Sequence, residues 1–326
     1  MLITSYPTSI NAVTGWKTSD KSTRYTFNVP ELQDKPYINR KDDTLEYIMA
    51  KAETVDRTYR EFDIPKRNGK VRHIKTPVGD LKPLQAWVKN YFQKDLAIMP
   101  HNCCHGFEKG RNCHTALKVH QANSSEWFMK LDIADFFPSI TTSILYNSLR
   151  NIANCSKLDN TELDVIVSLL VDETGHMTQG CISSPYFSNL VLLEFDNKFT
   201  MWCNKRGLVY TRYADDMIVS SADSFAYRTV EHKVVELLPA GLRLNRDKTQ
   251  YRNYKWHNFN LGLCYSQDKK ITCGKDMKNL FKVIAHKLQL GDETIDTVLW
   301  KGRFNYYASI EPEYFSQPRF DIFRRL

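Results

Sequence analysis

Apolar residues recur every three or four positions over several long stretches of the chain, which predicts amphipathic helices. Residues 81–99, LKPLQAWVKNYFQKDLAIM, are an example. The predicted buried face of this helix consists of Leu81, Leu84, Val88, Tyr91 and Phe92. The same spacing predicts further helices in residues 43–62, 185–202, 222–240, 275–290 and 294–308.

Short apolar stretches between these helices are bounded by turn residues and predict β-strands. Residues 64–77, IPKRNGKVRHIKTP, predict a hairpin, because Asn68-Gly69 is a pair that two-residue hairpin loops favour. Further strands are predicted within residues 126–139, as a pair within residues 208–221, and from Gly241 and Leu242 onward. This mixed βαββαβ order, with its helices segregated to one side, predicts an α+β sheet domain flanked by helical parts.

The composition is that of a globular protein with an excess of basic residues. Of the 326 residues, 42% are hydrophobic and 25% are charged, which excludes a disordered chain and allows two or three subdomains. The net charge of +8, dispersed along the chain, suits a long groove for a polyanion such as nucleic acid. No apolar stretch reaches the roughly 18 residues of a membrane span, and the N-terminus lacks a signal-peptide pattern. We therefore expect a cytoplasmic protein with no membrane partner.

Residues 101–114, HNCCHGFEKGRNCH, raise the possibility of a zinc site. The potential ligands are His101, Cys103, Cys104, His105, Cys113 and His114. However, adjacent cysteines lack the two-residue gap of a zinc knuckle, and no second pair follows at zinc-finger spacing. Reduced thiols without a metal are the preferred interpretation.

Two adjacent carboxylates, Asp215 and Asp216, interrupt the apolar pattern in TRYADDMIVS, residues 211–220. At the turn of a hairpin they would lie at its exposed end, which avoids much of the desolvation penalty but not their mutual repulsion. Adjacent acids in a turn are usually just solvated. A divalent cation such as Mg²⁺ would remove the repulsion, because it takes carboxylate oxygens together with substrate phosphates.

A second source of carboxylates is found in KLDIADFF, residues 130–137. Asp132 ends an apolar strand, and Asp135 follows three residues later. If this strand lies beside the hairpin that carries Asp215, the acids would hold two metal ions roughly 3.5–4 Å apart, as polymerases do.

Seven ordered motifs resemble those of the reverse transcriptases of bacterial retrons, over roughly residues 45–312. In chain order they are IPKRNGKVRHIKTP with LKPLQAWV, HGFEKGR, LDIADFFPSI, TQGCISSPYFSNLVL, GLVYTRYADDMIVSS, GLRLNRDKT and GRFNYYASIEP. The resemblance implies a right-hand polymerase fold with fingers, a palm (an antiparallel sheet with helices on one face) and a helical thumb. The implied boundaries are an N-terminal arm at 1–44, fingers at 45–125, a palm at 126–265 with a fingers-like insertion around 140–180, and a thumb at 266–326.

The resemblance also implies the catalytic roles. Asp132, Asp215 and Asp216 match the metal-binding acids, and Ile133 would lend a backbone carbonyl. The implied cofactor is a pair of Mg²⁺ ions, with Mn²⁺ as an alternative. Lys248 matches the lysine that protonates the departing pyrophosphate, a general-acid role.

A further set of residues matches the nucleotide site of the family. Phe137 matches the bulky gate that excludes a 2′-hydroxyl, although pairs of phenylalanines are commonly core. Gln179 and Gly180 match the segment that closes over the incoming dNTP. Arg72 stands where the fingers hold the triphosphate, as fixed cationic donors can. The whole nucleotide-binding set is Lys66, Lys70, Arg72, Asp135, Phe137, Gln179 and Gly180.

RNA recognition is predicted for the thumb and for one helix before the palm. His120 falls in the histidine position of the family's Asn-Ala-x-x-His element, and cationic residues alternate with aromatic residues beyond Gly274. Such a mixture suits structured RNA with unpaired bases, unless the aromatics are simply the thumb core. The predicted RNA contacts are His120, Lys278, Lys282, Lys301 and Arg303.

The chain departs from the retron pattern at two elements associated with the family's own RNA. Ala116-Leu117 stand where Asn-Ala would be, and Asn260-Leu261-Gly262 replace Val-Thr-Gly. The expected partners are a cognate non-coding RNA, its single-stranded DNA product (msDNA) and dNTPs, with a separate effector protein in antiphage defence. Another defence-associated or group II intron-like reverse transcriptase, with a different template or untemplated synthesis, stays open. So do a nucleotidyl cyclase and an inactive RNA-binding scaffold.

Overall fold

A computed structural model of the chain describes residues 45–65, 69, 71–253, 258–266 and 268–326. The N-terminal arm and the predicted nucleotide contacts Lys66 and Lys70 lie outside the described residues. Asn68 of the predicted hairpin turn also lies outside them, whereas Gly69 has the positive φ of 78° that such a turn requires.

The first part of the described chain is a hairpin between helices. Its elements are α1 (Leu45–Ala52), β1 (Tyr59–Pro65), β2 (Val71–Pro77), α2 (Leu81–Lys94) and α3 (Cys113–Ala122). The predicted buried face of α2 is confirmed, although Tyr91 is only half-buried. The prediction of a helix over residues 43–62 is wrong beyond Ala52, because Tyr59 to Phe62 pair with β2 across the sheet.

The palm alternates helices and strands. In chain order its elements are β3 (Trp127–Asp132), α4 (Phe136–Ser139), α5 (Thr142–Arg150), α6 (Asn160–Leu170), α7 (Ser184–Val191), α8 (Leu193–Asn204), β4 (Val209–Tyr213), β5 (Asp216–Ser221), α9 (Tyr227–Leu237) and β6 (Gln250–Asn253). The single helix predicted for residues 185–202 is two helices that meet at Leu192. The strand predicted from Gly241 is absent from the described residues 241–249, where Leu244 makes only an isolated bridge with Ile133.

The central sheet is antiparallel, with strand order β4-β5-β3-β6. Met129, Leu131 and Val219 point to one face, where they join α8 and α9 in a core cluster. Around Phe128 and Ile218 the opposite face packs on α3 and the thumb. Because strand residues alternate between faces, Asp132 and Asp216 share this opposite face with Phe128. We call it the front face, and we call the one covered by α8 and α9 the back face.

The C-terminal part is a small sheet followed by helices. Its elements are β7 (Asn258–Asn260), β8 (Leu263–Tyr265), β9 (Ile271–Thr272), α10 (Gly274–Gln289), α11 (Thr297–Ile310), α12 (Pro312–Phe315) and α13 (Asp321–Arg325). Both helices predicted in this region are confirmed. No helix within the described ranges is long and apolar enough to cross a membrane.

Candidate active site

Strand pairing brings the three predicted acids together at one end of the front face. Asp132, the last residue of β3, lies directly opposite Asp216, the first residue of β5. The backbone N–H of Ile133 donates to the carbonyl of Asp215 over 3.2 Å, so the chain after β3 runs beside the loop of the β4–β5 hairpin. Three carboxylates from two sequence-distant motifs therefore meet at a single site.

Burial of these acids is deeper than the sequence indicates. The prediction of an exposed pair is wrong for Asp216, which is 2% exposed, and Asp132 is 4% exposed. Burial, followed by the charges of Asp216 and Asp132, raises the pKa of Asp215 to about 7. Burial also raises the pKa of Asp216. The desolvation penalty is therefore present and must be offset by cations.

Two lysines supply part of that positive charge. Lys248 Nζ donates to both carboxylate oxygens of Asp132, over 2.9 and 3.0 Å, and Lys130 Nζ lies 3.5 Å from Asp216 Oδ1. Burial alone would lower the pKa of Lys248, but the hydrogen bond to Asp132 and the neighbouring acids raise it. Lys130 was missed from the sequence. Its signal is its position two residues before Asp132, which puts both side chains on one face of β3.

One carboxylate oxygen is left without any partner. Asp216 Oδ2 is buried and accepts no hydrogen bond from the part of the chain that the structure describes. A buried anionic oxygen of this kind is strongly unfavourable unless a cation binds it. The oxygen-rich donor set and this partnerless atom fit Mg²⁺ or Mn²⁺, which prefer carboxylate ligands.

The hairpin loop that carries Asp215 has an uncommon backbone conformation. Ala214, the first of its two residues, has a φ of 55°. Two-residue hairpin loops require a positive φ at this position, which glycine usually supplies. A non-glycine residue here stores roughly 1–3 kcal/mol of strain and persists only when its surroundings hold it. The packing around Ala214 therefore bears directly on where Asp215 lies.

The cysteine segment does not form a zinc site in this conformation. Cys103, Cys104 and Asp196 do place three donor atoms within 4.8 Å of one another. However, the Arg212 guanidinium lies among them, with Nη2 2.5 Å from Asp196 and 2.7 Å from Cys104 Sγ. Arg212 thus supplies the positive charge that a metal would bring. All eight cysteines are buried free thiols.

The predicted sugar gate, Phe137, is half-buried and close to the hairpin of the acids. Its ring lies 6.2 Å from that of Phe107, edge to face, and Phe107 in turn lies 6.4 Å from the ring of Tyr213. Phe107 is 43% exposed and has a φ of 65°, so its backbone is held in an unfavourable conformation beside the site. Sequence reasoning missed it, although it lies in the HGFEKGR motif. Asp135 is exposed, with a φ of 44°.

The fingers hairpin is joined to the segment predicted to close over the nucleotide. The N–H of Lys75 donates to the carbonyl of Gln179 over 2.9 Å, and Thr76 Oγ1 donates to that of Gly180 over 2.7 Å. Gly180 has a φ of 119°, and a Cβ there would lie 2.7 Å from the Ile74 side chain, so only glycine fits. Arg72, two residues before Ile74, therefore lies on the strand that contacts Gly180. Its Nε is buried and has no partner among the described residues.

A family profile described as "Reverse transcriptase (RNA-dependent DNA polymerase)" matches residues 64–288. This chain belongs to the reverse transcriptase family. It is similar to two Escherichia coli proteins, the Retron Ec83 reverse transcriptase (25% identity, 78% of this chain and 84% of the relative) and the Retron Ec73 reverse transcriptase (27%, 79% and 85%). The Retron Mx65 reverse transcriptase of Myxococcus xanthus is 30% identical over 60% of this chain and 48% of its own length. The resemblance to retron reverse transcriptases is thereby confirmed, and with it the right-hand polymerase fold and RNA-directed DNA polymerase activity.

The solved structures that align with this chain include telomerases. The telomerase from Candida albicans, in complex with a fragment of telomeric RNA, aligns with a TM-score of 0.49 at 14% identity, over 71% of this chain and 50% of its own.

His120 of this reverse transcriptase does not lie where RNA could reach it. The side chain is fully buried, with Nδ1 2.6 Å from Ser220 Oγ and Nε2 2.8 Å from Thr211 Oγ1. Burial lowers the pKa of His120 to about 3, so the ring is neutral at physiological pH. The prediction of a direct RNA contact is therefore wrong in this conformation. His120 instead fastens α3 to strands β4 and β5.

Several aromatic residues of the thumb are buried, whereas its predicted cationic residues stay accessible. Phe281, Phe304 and Tyr307 are buried in the thumb core, so the expectation that they stack on bases is wrong. The four predicted cations stay at least partly accessible. Lys278 Nζ is paired with Glu311 at 2.5 Å and lies over the Tyr314 ring, and the Arg303 guanidinium lies over the Trp300 ring. Lys282 is exposed, and Lys301 is partly so.

Proposed function

We propose that this reverse transcriptase copies one cognate structured non-coding RNA into single-stranded DNA, as the retron-like motifs indicate, and that the product serves antiphage defence with a separate effector protein. The observation that carries the catalytic part is the buried Oδ2 of Asp216, which lies beside Asp132 and Asp215 and has no partner in the described part of the chain. The similarity to retron enzymes over most of the chain supports the rest.

Asp132, Asp215, Asp216 and the Ile133 carbonyl would hold two divalent ions, with Mg²⁺ as the proposed metal and Mn²⁺ as an alternative. When bound, such a pair supplies activation of the primer 3′-hydroxyl and neutralisation of charge on the pyrophosphate. The protein's own contribution is to bring these oxygens together before substrate binds. Asp132 and Asp216 lie on two paired strands, which hold them rigidly, and the hairpin loop beside them carries Asp215.

Lys248 is the proposed general acid. Its pKa is raised, so its Nζ keeps a proton while it lies beside Asp132, and its side chain is 59% exposed. An exposed ammonium tethered at the edge of the acid cluster can turn toward the departing pyrophosphate and donate that proton. Its role is therefore proposed for the leaving group and not for the attacking hydroxyl.

The nucleotide is proposed to bind between the fingers hairpin and the palm. Arg72 Nε, a buried donor without a partner among the described residues, would bind the triphosphate. Gln179 and Gly180 are hydrogen-bonded to the strand that carries Arg72, and Phe137 would exclude a 2′-hydroxyl. Lys66, Lys70 and the exposed Asp135 are proposed to complete this site. Selection for dNTPs follows, because a ring beneath the sugar leaves no room for an extra oxygen.

The decisive experiment is to sequence nucleic acid that co-purifies with the parent protein and with Asp215→Asn. We expect a DNA copied from one non-coding RNA, joined to that RNA, in the parent, and the RNA alone in the variant. Recovery of DNA without a matching RNA would instead support untemplated synthesis. Deletion of the gene or of the RNA, followed by phage challenge, tests the defence role separately.

A further inference from the structure

A buried guanidinium lies directly behind the loop that carries Asp215. Arg212 is 0% exposed, on the back face of β4, whereas Asp216 faces the front. Its Nη1 donates to the carbonyl of Ala214 over 3.0 Å. Ala214 immediately precedes Asp215 and has the strained φ of 55°. The guanidinium therefore bonds the one peptide unit whose orientation sets the direction of Asp215.

The guanidinium is itself held from the other side by a carboxylate. Arg212 Nε lies 3.0 and 3.2 Å from the two oxygens of Asp196, which is 0% exposed on α8. Tyr210 donates to the same carboxylate over 2.8 Å. Because Asp196 is anchored in a helix and in the core, it fixes the guanidinium relative to the palm and not only to the loop.

Residues of two further motifs contact Arg212 or the loop that carries Asp215. Asn189 Oδ1 accepts from Arg212 Nη1 over 3.0 Å, and Asn189 Nδ2 donates to the carbonyl of Gly106 over 3.0 Å. A Cβ on Gly106 would lie 2.6 Å from the backbone nitrogen of Ala214, so the HGFEKGR segment packs against the loop at closest approach. The loop is thus clamped between Gly106 and Arg212, and Asn189 joins the two.

We propose that Arg212 is a positioning residue for the metal-binding acids, acting through the Ala214 carbonyl and held in turn by Asp196 and Asn189. The planar guanidinium of arginine suits this positioning role, because it donates hydrogen bonds in several directions at once. Nε and Nη2 donate to Asp196, while Nη1 donates to Asn189 Oδ1 and to the Ala214 carbonyl. A lysine offers a single point charge and cannot make these contacts at once. The inference rests on the proposed metal role of Asp215, because a loop that carried no ligand would need no such clamp.

The test compares three variants with the parent, measuring the Mg²⁺ concentration for half-maximal primer extension, kcat and KM for dNTP, and the melting temperature. Arg212→Lys keeps the charge and loses the fork. The double variant Arg212→Met with Asp196→Leu removes both charges at similar volume, a replacement that buried ion pairs often tolerate. Arg206→Lys is the matched control, since Arg206 is an exposed arginine in the turn between α8 and β4.

We expect both Arg212 variants to need roughly tenfold or more Mg²⁺, the usual effect of losing a group that orients a metal ligand, with kcat lowered and KM for dNTP little changed. Arg206→Lys should match the parent. Parental Mg²⁺ dependence in a folded double variant, or in Arg212→Lys assayed below its melting temperature, would overturn the proposal and leave Arg212 a purely structural residue. Asp215→Asn distinguishes a failure of the positioning role of Arg212 from a failure of the metal role of Asp215. If Asp215→Asn stays active, the proposed metal role is wrong, whatever the Arg212 variants do.

Discussion

Lys248 and Asp132 are joined by two hydrogen bonds, with Nζ 2.9 and 3.0 Å from the two carboxylate oxygens. The lysine lies in the turn just before β6, and the aspartate ends β3, so the contact links residues 116 positions apart. The ammonium is therefore a counter-charge for a carboxylate that the proposed metals would also bind.

Replacement of Asp215 should abolish catalysis without loss of RNA binding. We expect Asp215→Asn to reduce primer extension below detection, because a neutral amide cannot replace the charge that holds a divalent ion. RNA binding should stay within about twofold of the parent, since it depends on distributed phosphate contacts. Extension assays and filter binding measure the two effects. Asp223→Asn, an exposed acid beyond β5, is the control. Near-parental extension by Asp215→Asn would contradict the assignment.

The raised pKa of Asp215 predicts a pH-dependent stability of the metal-free protein. A folded pKa of about 7 against an ordinary value of 3.8 means that ionisation opposes folding. The contribution of protonated Asp215 to the free energy of unfolding is fully present below pH 3.8 and is lost as the pH rises toward 7. Asp215→Asn avoids this loss of stability, because the amide does not ionise. At about 1.4 kcal/mol per pKa unit, the loss that it avoids is at most about 4 kcal/mol, before solvent screening reduces it.

Thermal unfolding in EDTA between pH 4 and pH 8 measures this effect. The melting temperature of Asp215→Asn relative to the parent should rise with pH and level off above pH 7. Added Mg²⁺ should raise the melting temperature of the parent more than that of the variant, because only the parent keeps the whole ligand set. A difference between the two proteins that does not change with pH would show that Asp215 ionises normally.

Truncation of the proposed gate should relax sugar selection. We expect Phe137→Ala to raise incorporation of ribonucleotides at least tenfold relative to deoxynucleotides, because removal of the ring leaves room for a 2′-hydroxyl. This change corresponds to a loss of roughly 1.4 kcal/mol or more in discrimination between the two sugars. Single-nucleotide extension with dNTP and rNTP measures the ratio of kcat/KM values. Met201→Ala, at a side chain 60% exposed on α8, should leave the ratio unchanged. Equal ratios in the Phe137 variant and the parent would leave that ring a packing residue.

Charge removal on the thumb should weaken RNA binding and its salt dependence. Each phosphate contact contributes about 0.7–0.9 to the slope of log K against log salt. Replacing Lys278, Lys282, Lys301 and Arg303 by glutamine should therefore flatten the slope by up to about 3. The change should be smaller if Lys278 stays paired with Glu311 in the complex.

The matched control for the thumb variant removes four exposed cations elsewhere. These are Lys94, Lys157, Lys205 and Arg206. Binding measured from about 50 to 200 mM salt should separate the two proteins. If both lose affinity equally, the thumb acts only through net charge, and a dedicated RNA surface there is refuted.

Replacement of His120 should affect stability and not RNA recognition. His120→Ala removes the bond to the buried Thr211 hydroxyl and one of the two bonds of the Ser220 hydroxyl, which also contacts Ser125; this destabilises the fold by about 1–3 kcal/mol. Below the melting temperature of the variant, its affinity for RNA should equal that of the parent. Urea unfolding and RNA titration test the two statements independently. Weaker RNA binding by a fully folded variant would restore the original prediction of a contact.

By itself, the sequence determined the order of the motifs and most helices and strands. It also identified the candidate acids Asp132, Asp215 and Asp216. These features follow from local rules: strand alternation, hairpin turn chemistry and helical periodicity. That Asp132 and Asp215 meet was a conditional expectation from the strand pattern, and the resemblance of the ordered motifs to those of retron reverse transcriptases implied it. The helix assigned to residues 43–62 failed because pairing with β2 outweighs the helical pattern of Tyr59 to Phe62.

Only the tertiary structure decided how these groups are surrounded. A turn that contains two acids predicts exposure, yet neighbouring elements bury Asp216, since solvent access depends on what packs above a loop. Its Oδ2 has no partner among the residues that the structure describes. The alternation of cations and aromatics in the thumb was equally ambiguous until the rings of Phe281 and Phe304 were seen to form its core. The contact of Arg212 with Asp196 and the Ala214 carbonyl has no local signature, because its partners come from a helix and a loop. Long-range contacts of this kind set the charge and direction of each side chain, and those are properties of the folded chain.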